Sequence, residues 1–225
     1  MTLDPSMLVQ KIAVWAIPVL FAITLHEVAH GWVARALGDH TAQMLGRLSL
    51  NPLKHIDPMG TVVVPLLMLV LGGFLFGWAK PVPVAMKNLR NPRRDMALVA
   101  IAGPLSNLAM AIAWGLLLKF TLTMNTEEGV WLGVMLMCRA GIIINLVLMV
   151  LNLIPLPPLD GGRVLTGLLP EKQARVLDRV EPYGLIILIV LMVTGFLGRI
   201  MIVPLMLSGS GLLALLNIQG FPLFN

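Results

Sequence analysis

The sequence predicts an all-α polytopic membrane protein with about five to six membrane helices and a short re-entrant, strand-like segment. Three observations carry that prediction. Of 225 residues, 58% are hydrophobic and only 12% are charged, about half the charged share of roughly 25% found in soluble domains. Mean hydropathy is +0.90. The few charges are gathered into clusters, and the runs between them reach the length of about 20 apolar residues that a bilayer crossing needs. The same composition excludes an intrinsically disordered chain.

The elements follow in order. Residues 12–25 are uncharged and lead into His26 and Glu27, and the helical pattern continues to a stop at Gly38-Asp39. This gives a first core helix at about 7–37, long enough to tilt, with Pro18 as a kink point. Residues 58–79 are 22 uncharged positions containing Pro65 and the pair Gly72-Gly73. The proline-punctuated stretch from Lys80 to Asp95 reads as strand or loop. Residues 96–118 are 23 uncharged positions and predict a core helix at about 96–119. After a short loop, Thr121 to Gly129, a third core helix at about 130–154 carries only Arg139 and breaks down at Pro155, Pro157 and Pro158. Val164 to Glu181 is a charged, helix-prone surface segment. Uncharged runs on both sides of Arg199 predict one or two C-terminal helices at about 182–217. No repeat or low-complexity tract is visible, so 1–225 reads as a single domain.

The net charge of +5 fits lysines and arginines that hold loops on the cytoplasmic side. With sparse aromatics and no recognisable module, nucleic-acid binding is not expected. The lone Cys138 excludes an intramolecular disulfide and any multi-cysteine metal site. The N-terminus lacks a basic n-region, so no removable signal peptide is expected.

The sharpest chemical feature is His26-Glu27-Val28-Ala29-His30, an H-E-x-x-H. On a helix, positions i and i+4 share a face, so two imidazoles can bind one zinc ion while the glutamate reaches a water beside it. Chance placement of the chain's histidines and glutamates would give this pattern with a probability of about 0.002. Ionisable groups inside an apolar helix are costly and need a metal, a partner or a water-filled cavity.

A catalytic zinc keeps three protein ligands and one open position. Asp57, Asp160, His40, His55 and Glu181 are the candidates for the third. Asp160 is the best placed. Three prolines unwind the chain just before it and Gly161-Gly162 follow it, and irregular backbone at membrane depth is tolerated where it lines a cavity. Asp57 is the reserve, while His40 and His55 read as loop or interface residues. Arg139 is expected to snorkel to the outer interface. The methionines read as lipid-facing or core filler.

Taken together, these residues resemble the site-2 protease family of intramembrane zinc metalloproteases. Three motifs match in the family's order: His26-Glu27-Val28-Ala29-His30, Gly103-Pro104-Leu105-Ser106-Asn107, and Asn152 followed by Asp160-Gly161-Gly162-Arg163. The resemblance implies zinc as cofactor, His26, His30 and Asp160 as its ligands and Glu27 as general base. It further implies Asn152 and Asn107 as residues near a bound peptide, with Gly103 and Pro104 shaping the core helix beside the site. The implied substrates are transmembrane proteins in the lipid bilayer. The chain departs from many members in that the short stretch Thr121 to Gly129 leaves no room for a PDZ insert between the core helices. Nor is a long C-terminal regulatory domain expected.

Shared ligation constrains topology. If 58–79 crossed the membrane, Asp160 would lie on the opposite face from His26 and His30, and bonds of about 2 Å could not bridge them. The segment at about 58–86 is therefore expected to enter and return on one side, near the active site. On that reading 12 of the 16 basic residues share a side, which makes it cytoplasmic. His30 then lies roughly 10 Å deep at 1.5 Å per residue. Charge alone does not decide, since a spanning segment also leaves a bias.

The expected activity is a metalloendopeptidase of the inner cell membrane that cleaves within or next to transmembrane helices. Strand addition along Pro81 to Met86 would hold the unwound substrate. The rival from another class is a metal-ion or proton transporter that uses the same His/Asp cluster as a relay. Transporters are often built from repeated halves, which are not seen here.

Overall fold

In the computed structural model, residues 5–63, 79–124 and 129–224 are described. Helix α1 is Pro5–Ala36, with Pro18 buried inside it. Gly38 takes φ +112, the Gly38 N–H donates to the Arg35 carbonyl and the Asp39 N–H to the Ala34 carbonyl. That pair of bonds is the Schellman closure, which needs a residue without a Cβ penalty at positive φ.

A short helix α2, Thr41–Met44, follows. After it come a 3-10 turn at Pro52–His55, a π turn at Pro58–Val63 and a 3-10 turn at Met86–Asn88. Helix α3, Pro92–Thr121, starts with proline in its first turn, where the missing N–H has no partner to lose. The Asp95 carboxylate accepts the Asn91 N–H at 2.7 Å and ties down that end. Helix α4 is Gly129–Asn152, α5 is Asp160–Leu168 and α6 is Glu171–Val180. Helices α7, Gly184–Val193, and α8, Phe196–Leu215, close the chain.

Four of these are long and apolar enough to cross a bilayer: Ile12–Ala36, Pro92–Thr121, Gly129–Asn152 and Phe196–Leu215. The C-terminal stretch makes two helices, but α7, with 10 residues, reaches only about 15 Å and falls short of the hydrocarbon core. Among the described residues the spanning helices therefore number four. The surface segment expected at 164–181 is split at Pro170, and its first part begins at Asp160.

No β-strand occurs among the described residues. The strap 79–85 runs non-helical into Ala85, which is extended at φ −95 and ψ 96. Most of the expected re-entrant segment, residues 64–78, lies outside the described residues. Its two flanks are described, and they meet. The Lys80 N–H donates to the His55 carbonyl at 2.9 Å. The Arg47 guanidinium donates to the carbonyls of Lys54 at 2.6 Å, Lys80 at 2.8 Å and Pro81 at 3.3 Å.

Helix α3 is central and packs against α1, α4 and α5, while α8 packs on α4. Leu118, Cys138, Ile142 and Leu146 are fully buried between α3, α4 and the C-terminal segment. Close approach of α3 and α4 depends on Gly141, where a Cβ would stand 2.4 Å from the Trp114 indole; small residues at such crossings are the usual means of packing helices in lipid. Val130, Val193, Leu207 and Leu215 project outward, as expected of lipid-facing positions. The Arg139 Nε donates to the Leu223 carbonyl at 3.0 Å and fastens the C-terminal segment to α4.

Candidate metal centre

Three elements far apart in sequence bring their polar atoms to one point. Helix α1 supplies His26 and His30, one turn apart on the face turned to α3. Asp160 arrives from the first turn of α5. The Asp160 Oδ2 lies 3.1 Å from His26 Nε2 and 3.3 Å from His30 Nε2, and the two Nε2 atoms are 3.1 Å apart. All three residues are at most 9% exposed. Asp160 Oδ2 is a buried oxygen that no hydrogen bond satisfies.

The proline-rich turn explains how Asp160 is delivered. A Cβ on Gly161 would lie 2.4 Å from the Leu153 carbonyl oxygen, and one on Gly162 would lie 2.3 Å from Pro157 N. Only glycines let the first turn of α5 fold back this tightly on the end of α4. Gly103 serves the same purpose on α3, since a Cβ there would stand 2.5 Å from both imidazole rings.

The outer nitrogens of the rings are occupied. His30 Nδ1 is 2.7 Å from the Val99 carbonyl oxygen. A carbonyl only accepts, so Nδ1 carries the hydrogen, and in the neutral ring that binds metal Nε2 presents its lone pair to the cluster. His26 Nδ1 is 2.6 Å from Asn107 Oδ1. The result is two lone-pair nitrogens and a carboxylate oxygen packed within 3.1–3.3 Å of one another. Such atoms repel unless a cation stands among them. For a tetrahedral zinc with bonds of 2.0–2.1 Å, neighbouring ligand atoms sit about 3.3 Å apart. The donor set therefore fits zinc, and His26, His30 and Asp160 can hold a metal ion.

Among the described residues this is the one His/Cys/Asp/Glu group with that property. The other candidates lie elsewhere. Asp57 Oδ1 accepts the Gly60 N–H at 2.8 Å. His40 is exposed beside Gln43, and His55 is buried with Nε2 2.8 Å from the Ser49 carbonyl oxygen. Glu181 stands 3.9 Å from Arg163.

Glu27 is half-buried and reaches the strap. Its Oε2 accepts the Val82 N–H at 2.7 Å. Asn152 is the last residue of α4, half-buried, and its Nδ2 donates to the Leu148 carbonyl at 3.0 Å. Asn107 is fully buried. Its Nδ2 donates to Asn145 Oδ1 at 2.9 Å and to the Ala22 carbonyl at 3.3 Å, so its contacts are to the protein's own helices.

Sequence reasoning passed over Val82, Asn145 and Asp39. Asp39 is 1% exposed and holds the far end of the strap, accepting from the Ala85 N–H at 2.6 Å and from Asn88 Nδ2 at 3.0 Å. A signal existed for Asn145, since an amide side chain in an apolar membrane helix must find a partner. A signal existed for Val82 too: between Pro81 and Pro83 it has the only N–H of the three.

The family model for peptidase family M50 matches residues 122–195, the part that holds Asn152 and Asp160. The chain is 41% identical over 205 residues to "Putative zinc metalloprotease YwhC" of Bacillus subtilis (strain 168), covering 86% of this chain and 85% of that protein. It is 34% identical over 183 residues to "Putative zinc metalloprotease Rip2" of Mycolicibacterium smegmatis (strain ATCC 700084 / mc(2)155), covering 80% of this chain and 66% of that protein. The protein of the same name from Mycobacterium tuberculosis (strain ATCC 25618 / H37Rv) is also 34% identical, with 81% and 66% covered. No solved structure matches. With a relative of this identity aligned along most of both chains, and a metal-competent His/His/Asp cluster inside a bundle of apolar helices, the chain belongs to peptidase family M50, the site-2 protease family of zinc metalloproteases.

Proposed function

We propose that this protein is a zinc-dependent intramembrane endopeptidase that hydrolyses peptide bonds within or next to transmembrane helices of membrane-protein substrates. The observation that carries the reading is the convergence of His26, His30 and Asp160 at 3.1–3.3 Å, with Glu27 next to His26 on the same helix. His26, His30 and Asp160 would hold zinc, which would supply Lewis acidity toward the scissile carbonyl and a water. Glu27 takes the water's proton and later delivers it to the leaving amine. Its Oε2 is held by Val82, so the other carboxylate oxygen carries the proton. Asn152, at the end of α4 before the Asp160 turn, is the candidate donor to a substrate carbonyl or a developing oxyanion. Asn107 is better read as a support for His26 than as a substrate contact, because its polar atoms are spent on helices α1 and α4.

On this reading 58–79 is an excursion that enters and leaves on one side. What supports it is the joining of its flanks, His55 to Lys80 directly and Lys54 to Lys80 through Arg47. Helix α3 also begins where α1 ends, with the Arg90 N–H donating to the Leu37 carbonyl at 3.1 Å. That side gathers most basic residues, which favours a cytoplasmic-facing site in the cell membrane.

Strand addition by the substrate is narrower than the sequence implies. Pro81 and Pro83 have no N–H, and the N–H groups of Val82 and Ala85 already go to Glu27 and Asp39. The strap is thus first a support for the site, with a short, carbonyl-rich edge left for a peptide.

The test is Glu27→Gln in proteoliposomes carrying a labelled transmembrane substrate. Cleavage should vanish while one zinc per chain remains. Continued cleavage would reject the mechanism. Zinc flux across the liposome wall without cleavage by the wild type would favour the transporter.

A further inference from the structure

Asn145 sits on α4 with its side chain fully buried, and its side-chain hydrogen bonds go to Asn107 and the Gly141 carbonyl rather than to His26, His30 or Asp160. A chain of hydrogen bonds nevertheless links it to His26. Asn145 Nδ2 donates to the Gly141 carbonyl at 2.8 Å. Asn145 Oδ1 accepts from Asn107 Nδ2 at 2.9 Å, and Asn107 Oδ1 faces His26 Nδ1 at 2.6 Å.

The polarity of this chain is forced from its far end. The Gly141 carbonyl can only accept, so the amide group of Asn145 that faces it must be the NH₂. That turns the Asn145 oxygen to Asn107 and demands an NH₂ there in return. The Asn107 oxygen is then the group left for His26, and Nδ1 of His26 must carry the hydrogen. Nε2 is left as a lone pair aimed at His30 and Asp160, the state in which imidazole binds metal. The Ala22 carbonyl also receives Asn107 Nδ2, but at 3.3 Å. Of the two bonds that the Asn107 amide donates, the shorter is the one to Asn145 Oδ1, at 2.9 Å.

We propose that Asn145 is a positioning residue of the metal centre, which fixes the tautomer and ring orientation of His26 through Asn107. The proposal rests on the reading of His26, His30 and Asp160 as metal ligands. Removing an outer-sphere partner of a metal-bound histidine typically lowers metal affinity about 10–100-fold. Asn145 would act at the lower end of that range, since Asn107 keeps its bond to Ala22.

Zinc affinity is to be measured by chelator competition on the full-length protein in detergent, for wild type, Asn145→Leu, Asn145→Asp and His26→Ala. Asn145→Leu keeps the volume and removes both bonds, and is expected to weaken zinc about tenfold. The neutral carboxyl of Asn145→Asp has one acceptor and one donor in the same places, and is expected to stay within about threefold of wild type. A loss below fivefold in the Leu variant, or an equal loss in both variants, overturns the proposal. A second readout needs no metal. In apo protein with ¹⁵N-labelled histidine, the His26 ring should show hydrogen on Nδ1 in wild type and Asn145→Asp, and a mixture of tautomers in Asn145→Leu. An unchanged tautomer in the Leu variant also overturns it. If His26→Ala binds zinc as well as wild type, the metal-centre reading fails by itself, and the tautomer readout still decides on Asn145.

Discussion

The Val82 N–H donates to Glu27 Oε2 at 2.7 Å, across 55 positions of sequence. The proposed base is therefore held at one oxygen by a backbone group whose neighbours on both sides are prolines. Proline at 83 confines Val82 to extended backbone, and proline at 81 keeps its own nitrogen out of the competition for Glu27. A carboxylate fixed in this way loses little rotamer entropy when it reacts. Replacing Val82 by Pro removes the N–H and suits the backbone that Pro83 already imposes. The expected outcome is a fall in kcat of about ten- to a hundredfold, the scale of effect for a misplaced catalytic group, with one zinc per chain retained. Val82→Ala keeps the N–H and should cleave within a few fold of wild type. A proline variant as active as the alanine variant would show that the contact does not position the base.

Gly103 offers a steric test of the metal centre. A Cβ there would meet the rings of His26 and His30 at 2.5 Å, in both cases atoms whose outer nitrogens are already pinned to Asn107 and Val99. The rings cannot swing away without giving up a buried hydrogen bond, each worth about 1 kcal/mol net and more when a partner is stranded. Gly103→Ala should therefore cost both zinc and cleavage, while Gly133→Ala, with open space around it, should cost neither. Full zinc content in Gly103→Ala would mean that the rings bind metal in another arrangement.

The third ligand separates Asp160 from Asp57. Asp160 Oδ2 is the buried oxygen without a hydrogen bond, between the two Nε2 atoms, whereas Asp57 caps the Pro58–Val63 turn through the Gly60 N–H. Asp160→Ala should lose zinc and Asp57→Ala should keep it, measured as metal per chain after gel filtration. The reverse pattern would dismantle the ligand set and the one-sided topology argued from it.

Much of this site is legible in the sequence, and the reason is locality. The H-E-x-x-H places two candidate ligands and the proposed base by helix periodicity, and the prolines before Asp160 mark an irregular turn of the kind that membrane depth tolerates where it lines a cavity. The span boundaries of α3 and α4 fall within a few residues of the uncharged runs, because burial in lipid follows composition. What stayed hidden is pairing between distant segments. Asn145 reaches Asn107 over 38 positions and Val82 reaches Glu27 over 55, and no local period encodes such distances. The shortness of α7 has a different source. Residues 184–193 are as apolar as a membrane span, but the left-handed Gly195 ends α7 after 10 residues.

The strap has a second anchor, and its pH dependence follows from the charge on it. Asp39 is buried at the end of α1, just beyond the spanning segment. Burial opposes its charge, but hydrogen bonds from the Thr41 hydroxyl, the Asn88 side chain and the backbone N–H groups of Ala85 and Thr41 outweigh that cost and hold the carboxyl below its usual value of 3.8. A carboxyl depressed in the folded state stabilises it fully above the unfolded pKa, and that contribution is lost as pH falls through the folded value. Hydrogen bonds to a buried carboxylate are worth about 1.5–3 kcal/mol each and are not additive, so Asp39→Ala should lower stability by about 2–3 kcal/mol at neutral pH. The gap between wild type and variant should hold down to about pH 5, narrow below the usual value of 3.8 and be lost as pH falls through the depressed folded value. Thermal unfolding in detergent across that range measures it. Because Asp39 and Glu27 grip the same strap at Ala85 and Val82, Asp39→Ala should also slow cleavage at neutral pH while zinc stays bound. A variant that unfolds earlier yet cleaves at the wild-type rate where both are folded would show that the two anchors act independently.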